Sequence, residues 1–152
     1  MQITYNAHYG YGIVSTLIRW FSRGRYNHIS IELDGVVYEA KEGKGVIATT
    51  KGAWDDSTVV DSISFELSPF AETEIFVFLQ EQIGKKYDYR GVLSFLWGFT
   101  RPRMGRWFCS ELAFVTVVKM RGLKGSDFQE KRVSPHLFWG FLKLLTCKNA
   151  KD

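Results

Sequence analysis

Two cysteines occur in the chain, and one of them, Cys109, stands where a thiol can do chemistry. It lies in Trp107-Phe108-Cys109-Ser110-Glu111-Leu112, where a loop ending in aromatics runs into the start of a helix. Unpaired N–H groups at a helix N-terminus carry partial positive charge, which favours a thiolate. The same groups can hold an oxyanion. The competing reading of Cys109 is a small buried hydrophobe, a common fate of free cysteine. Cys147, beside the charged C-terminal tail, reads as that and nothing more.

A thiol nucleophile needs a base, and a base needs an orienting partner. His28 opens a strand between Asn27 and Ile29, so its ring can project from the strand end; a sheet is a rigid mount for a general base. Its competing reading is a structural histidine bonded to backbone. His8, in a Gly/Tyr-rich stretch, and His136, near a helix start, have no partner visible in the sequence. Glu39 follows on the next strand, and pairing about the Asp34-Gly35 turn brings its neighbourhood alongside that of His28. Glu32 and Glu42 compete for the orienting role, and a solvent-facing strand glutamate is the alternative for each.

These residues must be carried by particular elements. Residues 2 to 5 predict a short strand, and Ile13, Leu17 and Trp20 recur at helical spacing over Ile13 to Phe21, ending before Gly24. Alternation in His28-Ile29-Ser30-Ile31-Glu32-Leu33, the Asp34-Gly35 signal and Val36-Val37-Tyr38-Glu39 make the clearest hairpin in the chain. Val46 to Thr50 and Thr58 to Leu67 extend the antiparallel sheet to four or five strands. Helices follow over Ala71 to Ile83 with Gly84 as C-cap, over Arg90 to Phe99, over Cys109 to Met120 closed by Gly122, and over Pro135 to Leu145 with Ser134 as N-cap. Strands first and helices afterwards is the α+β pattern.

A chain of 152 residues, 45% of them apolar, suits one domain with one core, over residues 1 to 152. Twenty basic residues face 16 acidic ones, giving a net charge of +4 and a pI near 9.1. That mild excess implies no nucleic-acid partner. One local bias, Arg101, Arg103 and Arg106 with Pro102, Gly105 and Trp107, reads as a solvated loop or a seat for an anionic surface. No apolar run reaches the roughly 18 to 20 residues that cross a bilayer. With no cationic-then-apolar leader in Met1 to His8, cytoplasmic residence is the default expectation, and delivery to the cell wall by another route is the alternative. The cysteines and histidines lack metal-ligand spacing, and Gly10-Tyr11-Gly12 and Gly43-Lys44-Gly45 lack the residues of a phosphate loop, so neither metal nor cofactor is expected.

Taken in order, Asn27-His28-Ile29-Ser30, Val37-Tyr38-Glu39-Ala40, Gly84-Lys85-Lys86-Tyr87-Asp88-Tyr89 and Phe108-Cys109-Ser110-Glu111-Leu112 resemble the circularly permuted branch of the NlpC/P60 superfamily, the YaeF/YiiX-like papain-fold amidases. The informative feature is the order His, Glu, Tyr, Cys; in unpermuted members the cysteine helix precedes the histidine strand. The likeness spans about Ile13 to Met120. It implies a papain-like α+β core, an antiparallel sheet against helices, with the Cys helix after the His strand. It also implies a cysteine peptidase or amidase in which Cys109 is the nucleophile, His28 the base and Glu39 the orienting group. Tyr87 would flank the thiol and donate near the reacting carbonyl, or else simply pack beneath the Cys helix.

The leading expectation is therefore a thiol hydrolase that cleaves amide bonds in cell-wall, peptidoglycan-derived peptides through a Cys109 acyl-enzyme. The second is a lipid-directed thioesterase, phospholipase or acyltransferase of the lecithin:retinol acyltransferase type, for which Phe95, Leu96, Trp97 and Phe99 offer an apolar patch. A binding module without turnover is the third.

Overall fold

The computed structural model describes residues 1–89, 105–122 and 133–149. Five strands form one antiparallel sheet: β1 (Gln2–His8), β2 (His28–Leu33), β3 (Val36–Lys41), β4 (Gly45–Thr50) and β5 (Val59–Glu66), in the order β4-β3-β2-β1-β5. Among the described residues four α-helices accompany it: α1 (Ile13–Ser22), α2 (Pro69–Gln82), α3 (Cys109–Met120) and α4 (Pro135–Asn149). A 3-10 turn (Lys51–Ala53) between β4 and β5 and a short parallel pair, β6 (Lys86–Tyr87) and β7 (Arg106–Trp107), complete the described elements. The α+β class is as expected. The helix expected over Arg90 to Phe99, the patch Phe95 to Phe99 and the basic residues Arg101 and Arg103 lie outside the described residues.

Alternation along β1 explains the sheet. Ile3, Tyr5 and Ala7 are buried in the core, opposite Leu33, Ile31 and Ile29 of β2, while Thr4, Asn6 and His8 point to the other face. The strand runs three residues beyond the expected end at Tyr5 because the polar side chains of Asn6 and His8 find partners across the sheet. Ser62 Oγ donates to Asn6 Oδ1 at 2.7 Å, and His8 bonds Ser30 and Thr58. The β2–β3 turn places both Asp34 (φ 52°) and Gly35 (φ 70°) in the left-handed region, as a tight hairpin of this hand requires.

The helices cover the core face. α3 packs across β2 and β3 and touches α2 and α4. Buried Tyr5 hydrogen-bonds Thr116 of α3 at 2.9 Å and meets the rings of Phe65 and Phe138 edge-on. The starts of α2 and α4 have a local reason. Ser68 accepts from Ala71 N–H and Ser134 from Leu137 N–H, with Pro69 and Pro135 following at the first helical positions, and such a cap contributes about 1 kcal/mol. α4 continues past Leu145 to Asn149, since no glycine or proline stops it. Cys147 is exposed on that last turn, which corrects its reading as a buried hydrophobe.

Candidate active site

The start of α3 is fixed by a strap from the preceding chain. Val46 N–H donates to Lys85 O and Gly84 N–H to Val46 O, which ties residues 84–85 to the beginning of β4. Gly45, at φ 76°, permits this approach: a Cβ there would collide with the Lys85 carbonyl oxygen. β6 then pairs with β7, Asp88 N–H donates to Trp107 O at 3.0 Å, and β7 runs directly into Phe108 and Cys109. Glu111 closes the helix start by accepting from Phe108 N–H at 3.2 Å, and the Ser110 hydroxyl donates to Val133 O. The first intrahelical bond is Leu112 N–H to Phe108 O, so the N–H groups of Cys109 and Ser110 precede the helix ladder.

The β2–β3 ladder pairs Leu33 with Val36, Glu32 with Val37 and Ile31 with Tyr38, and goes no further toward His28. Beyond that point His28 Nε2 and Glu39 Oε2 stand 3.1 Å apart, and the Cys109 thiol acts on the same ring through its charge and a hydrogen bond. Cys109 and Glu39 are buried, whereas a fifth of the His28 side chain (21%) is exposed. Lys41 Nζ lies 3.4 Å from the second oxygen of Glu39.

Cys109 and Glu39 set the charge of His28, and His28 sets that of Glu39. Burial lowers the His28 pKa, but the charge and hydrogen bond of Cys109, then those of Glu39, outweigh it and push it up to about 9. Burial raises Glu39, and the His28 hydrogen bond and charge, helped by Lys41 and His8, bring it down to about 2. The arrangement thus favours an imidazolium at His28 held against the Glu39 carboxylate.

The sequence-expected residues Cys109, His28 and Glu39 are brought together. Tyr87 lies beside them: its ring packs edge-on against Tyr89 and Phe108, and burial, followed by the charge of Cys109, raises its pKa strongly. The competitors fall elsewhere. Glu32 pairs with Lys51 at 2.6 Å, and Glu42 is exposed in the turn after β3. His136 stacks near Tyr26. Sequence reasoning missed His8. It ends β1 directly opposite His28, its ring centroid 5.0 Å from that of His28, and it is buried. The only available signal was its period-two spacing from Thr4 and Asn6 on a strand that looked too polar to continue.

No family model matches the chain, and no curated protein matches it. Among the described residues, no helix is long and apolar enough to cross a membrane.

Proposed function

We propose that this protein is a cysteine hydrolase of the permuted papain-like type, acting on amide bonds of peptidoglycan-derived peptides. The observation that carries the reading is the chain Cys109–His28–Glu39: a thiol on the first turn of a helix, hydrogen-bonded to an imidazole that is itself bonded to a buried carboxylate. Nucleophile, base and orienter stand in sequence, and their order along the chain is the one that the permuted NlpC/P60 branch would have.

The reaction follows from these positions. The Cys109 thiolate attacks the substrate carbonyl carbon, and the N–H groups of Cys109 and Ser110 receive the developing oxyanion. The His28 imidazolium gives its proton to the departing amine as the C–N bond breaks, leaving a thioester on Cys109. Neutral His28 then takes a proton from water, whose oxygen attacks the thioester; the thiol leaves as thiolate and the imidazolium is restored. Glu39 holds the ring and stabilises its cation at both stages. Tyr87 flanks the sulfur and donates toward the oxyanion.

The test is product release from a panel of muropeptides and lipid esters, with Cys109→Ala as the blank. Cleavage of muropeptides that vanishes in Cys109→Ala is expected. Turnover of lipid esters alone moves the assignment to the lipid-acyl class, and turnover that survives Cys109→Ala overturns the thiol mechanism.

A further inference from the structure

His8 is a buried, titratable ring that the proposed reaction does not use. Both of its nitrogens are occupied, Nδ1 by the Thr58 hydroxyl and Nε2 by the Ser30 hydroxyl, each at 2.9 Å. Trp54 closes a third side edge-on, at 5.6 Å between centroids, and the remaining side faces His28 with an interplanar angle of 58°. A ring bonded at both ends to hydroxyls cannot rotate. Hydroxyls donate and accept equally well, so they satisfy a neutral imidazole, with one N–H and one lone pair, without calling for charge.

We infer that His8 is a positioning residue: a neutral imidazole, clamped by Ser30 and Thr58, that fixes the ring plane of His28 and confines the positive charge of the site to His28. The inference rests on the Cys109–His28–Glu39 reading. The charged and titratable groups around His8 are His28 on β2, Glu39 and Lys41 on β3, and Asp55 before β5. Burial and the neighbouring His28 cation, opposed by Glu39, hold the His8 pKa down at about 3, so the ring stays neutral wherever the enzyme works. A fixed wall matters because His28 must keep its bonds to Glu39 and to the sulfur; a small rotation breaks both bonds together.

The experiment follows the His28 ring by NMR, reading its titration midpoint and tautomer, together with the iodoacetamide rate at Cys109, in wild type, His8→Phe, His8→Gln and His28→Ala. Thermal melts confirm the fold of each variant. Phe keeps the ring volume and removes both hydrogen bonds; Gln keeps a neutral group that can bond a hydroxyl. The expected result is a His28 midpoint that falls by at least one pH unit in His8→Phe and by less in His8→Gln, with the Cys109 rate at pH 7 reduced about tenfold in His8→Phe. Should His8→Phe fail to fold, the smaller displacement in His8→Gln carries the test alone. Titrations and rates that match wild type in the folded His8 variants, while His28→Ala slows Cys109, overturn the positioning role and leave the Cys109–His28 pair standing. A Cys109 rate indifferent to His28→Ala overturns the pair itself and the inference with it.

Discussion

Glu39→Gln deletes one negative charge while keeping an oxygen where the carboxylate stood. Glu39 is buried, and its Oε2 lies 3.1 Å from His28 Nε2. A hydrogen bond involving a charged group contributes about 1.5–3 kcal/mol, and about 1.4 kcal/mol is tenfold in a proton equilibrium. His28 should therefore hold its proton about tenfold to a hundredfold less tightly in the variant. The wild-type ring titrates at about 9, and Cys109 contributes more to that rise than Glu39 does, so the midpoint falls without reaching the ordinary histidine range. Glu39→Ala, which removes the acceptor as well, falls further. The assay is the pH titration of the His28 ring resonance, assigned by its disappearance in His28→Ala, with activity measured on the same samples. Superimposed titrations of wild type and Glu39→Gln would refute the orienting role, and a displaced midpoint in Glu32→Gln instead would refute the hairpin geometry.

Stability should peak near pH 6.5. His28, raised from 6.5 to about 9, contributes stability that is full below 6.5 and is lost as the pH rises through 9; His8, lowered from 6.5 to about 3, contributes stability that is full above 6.5 and is lost as the pH falls through 3. Each flank has a slope of about 1.4 kcal/mol per pH unit, checked by Tm against pH, and His8→Gln should flatten the acid flank. Glu39, lowered from 4.5 to about 2, adds a further loss below 4.5 that Glu39→Gln removes. Cys109 is 1% exposed whereas Cys147 is exposed, so a polyethylene-glycol maleimide should modify Cys147 and spare Cys109 in the native protein, as peptide mapping will show; equal labelling contradicts the burial. Tyr87→Phe removes a donor near the sulfur and should lower kcat by about 10²-fold at unchanged Tm; an unchanged kcat leaves Tyr87 as packing beneath the Cys helix.

Local signals made much of this legible. The Asp34-Gly35 turn fixed the hairpin that places Glu39 beside His28, and Gly122 marked the end of the Cys109 helix, because turn and cap chemistry act within a few residues. The same locality explains the misses. Asn6 and His8 read as loop because their partners Ser62, Ser30 and Thr58 lie on other strands, and only tertiary pairing makes a buried polar strand face tolerable. The pairing of residues 84–88 with β4 and β7 was invisible as structure, since β6 and β7 are two residues each and exist through the bonds between Val46, Lys85 and Gly84 and the parallel pairing with Arg106 and Trp107. Cys147 was misjudged because a cysteine's burial depends on which face of its helix meets the core.

The reaction stands on an acyl group passing through one sulfur. Intact-mass measurement after rapid acid quench, during turnover of a nitrophenyl acyl ester, reads that step directly. A mass gain of one acyl group should map to Cys109, persist in Cys147→Ala, and be absent in Cys109→Ala; in His28→Ala it should form much more slowly. An acyl group found on Cys147, or undiminished turnover in Cys109→Ala, would contradict the assignment of Cys109 as the nucleophile.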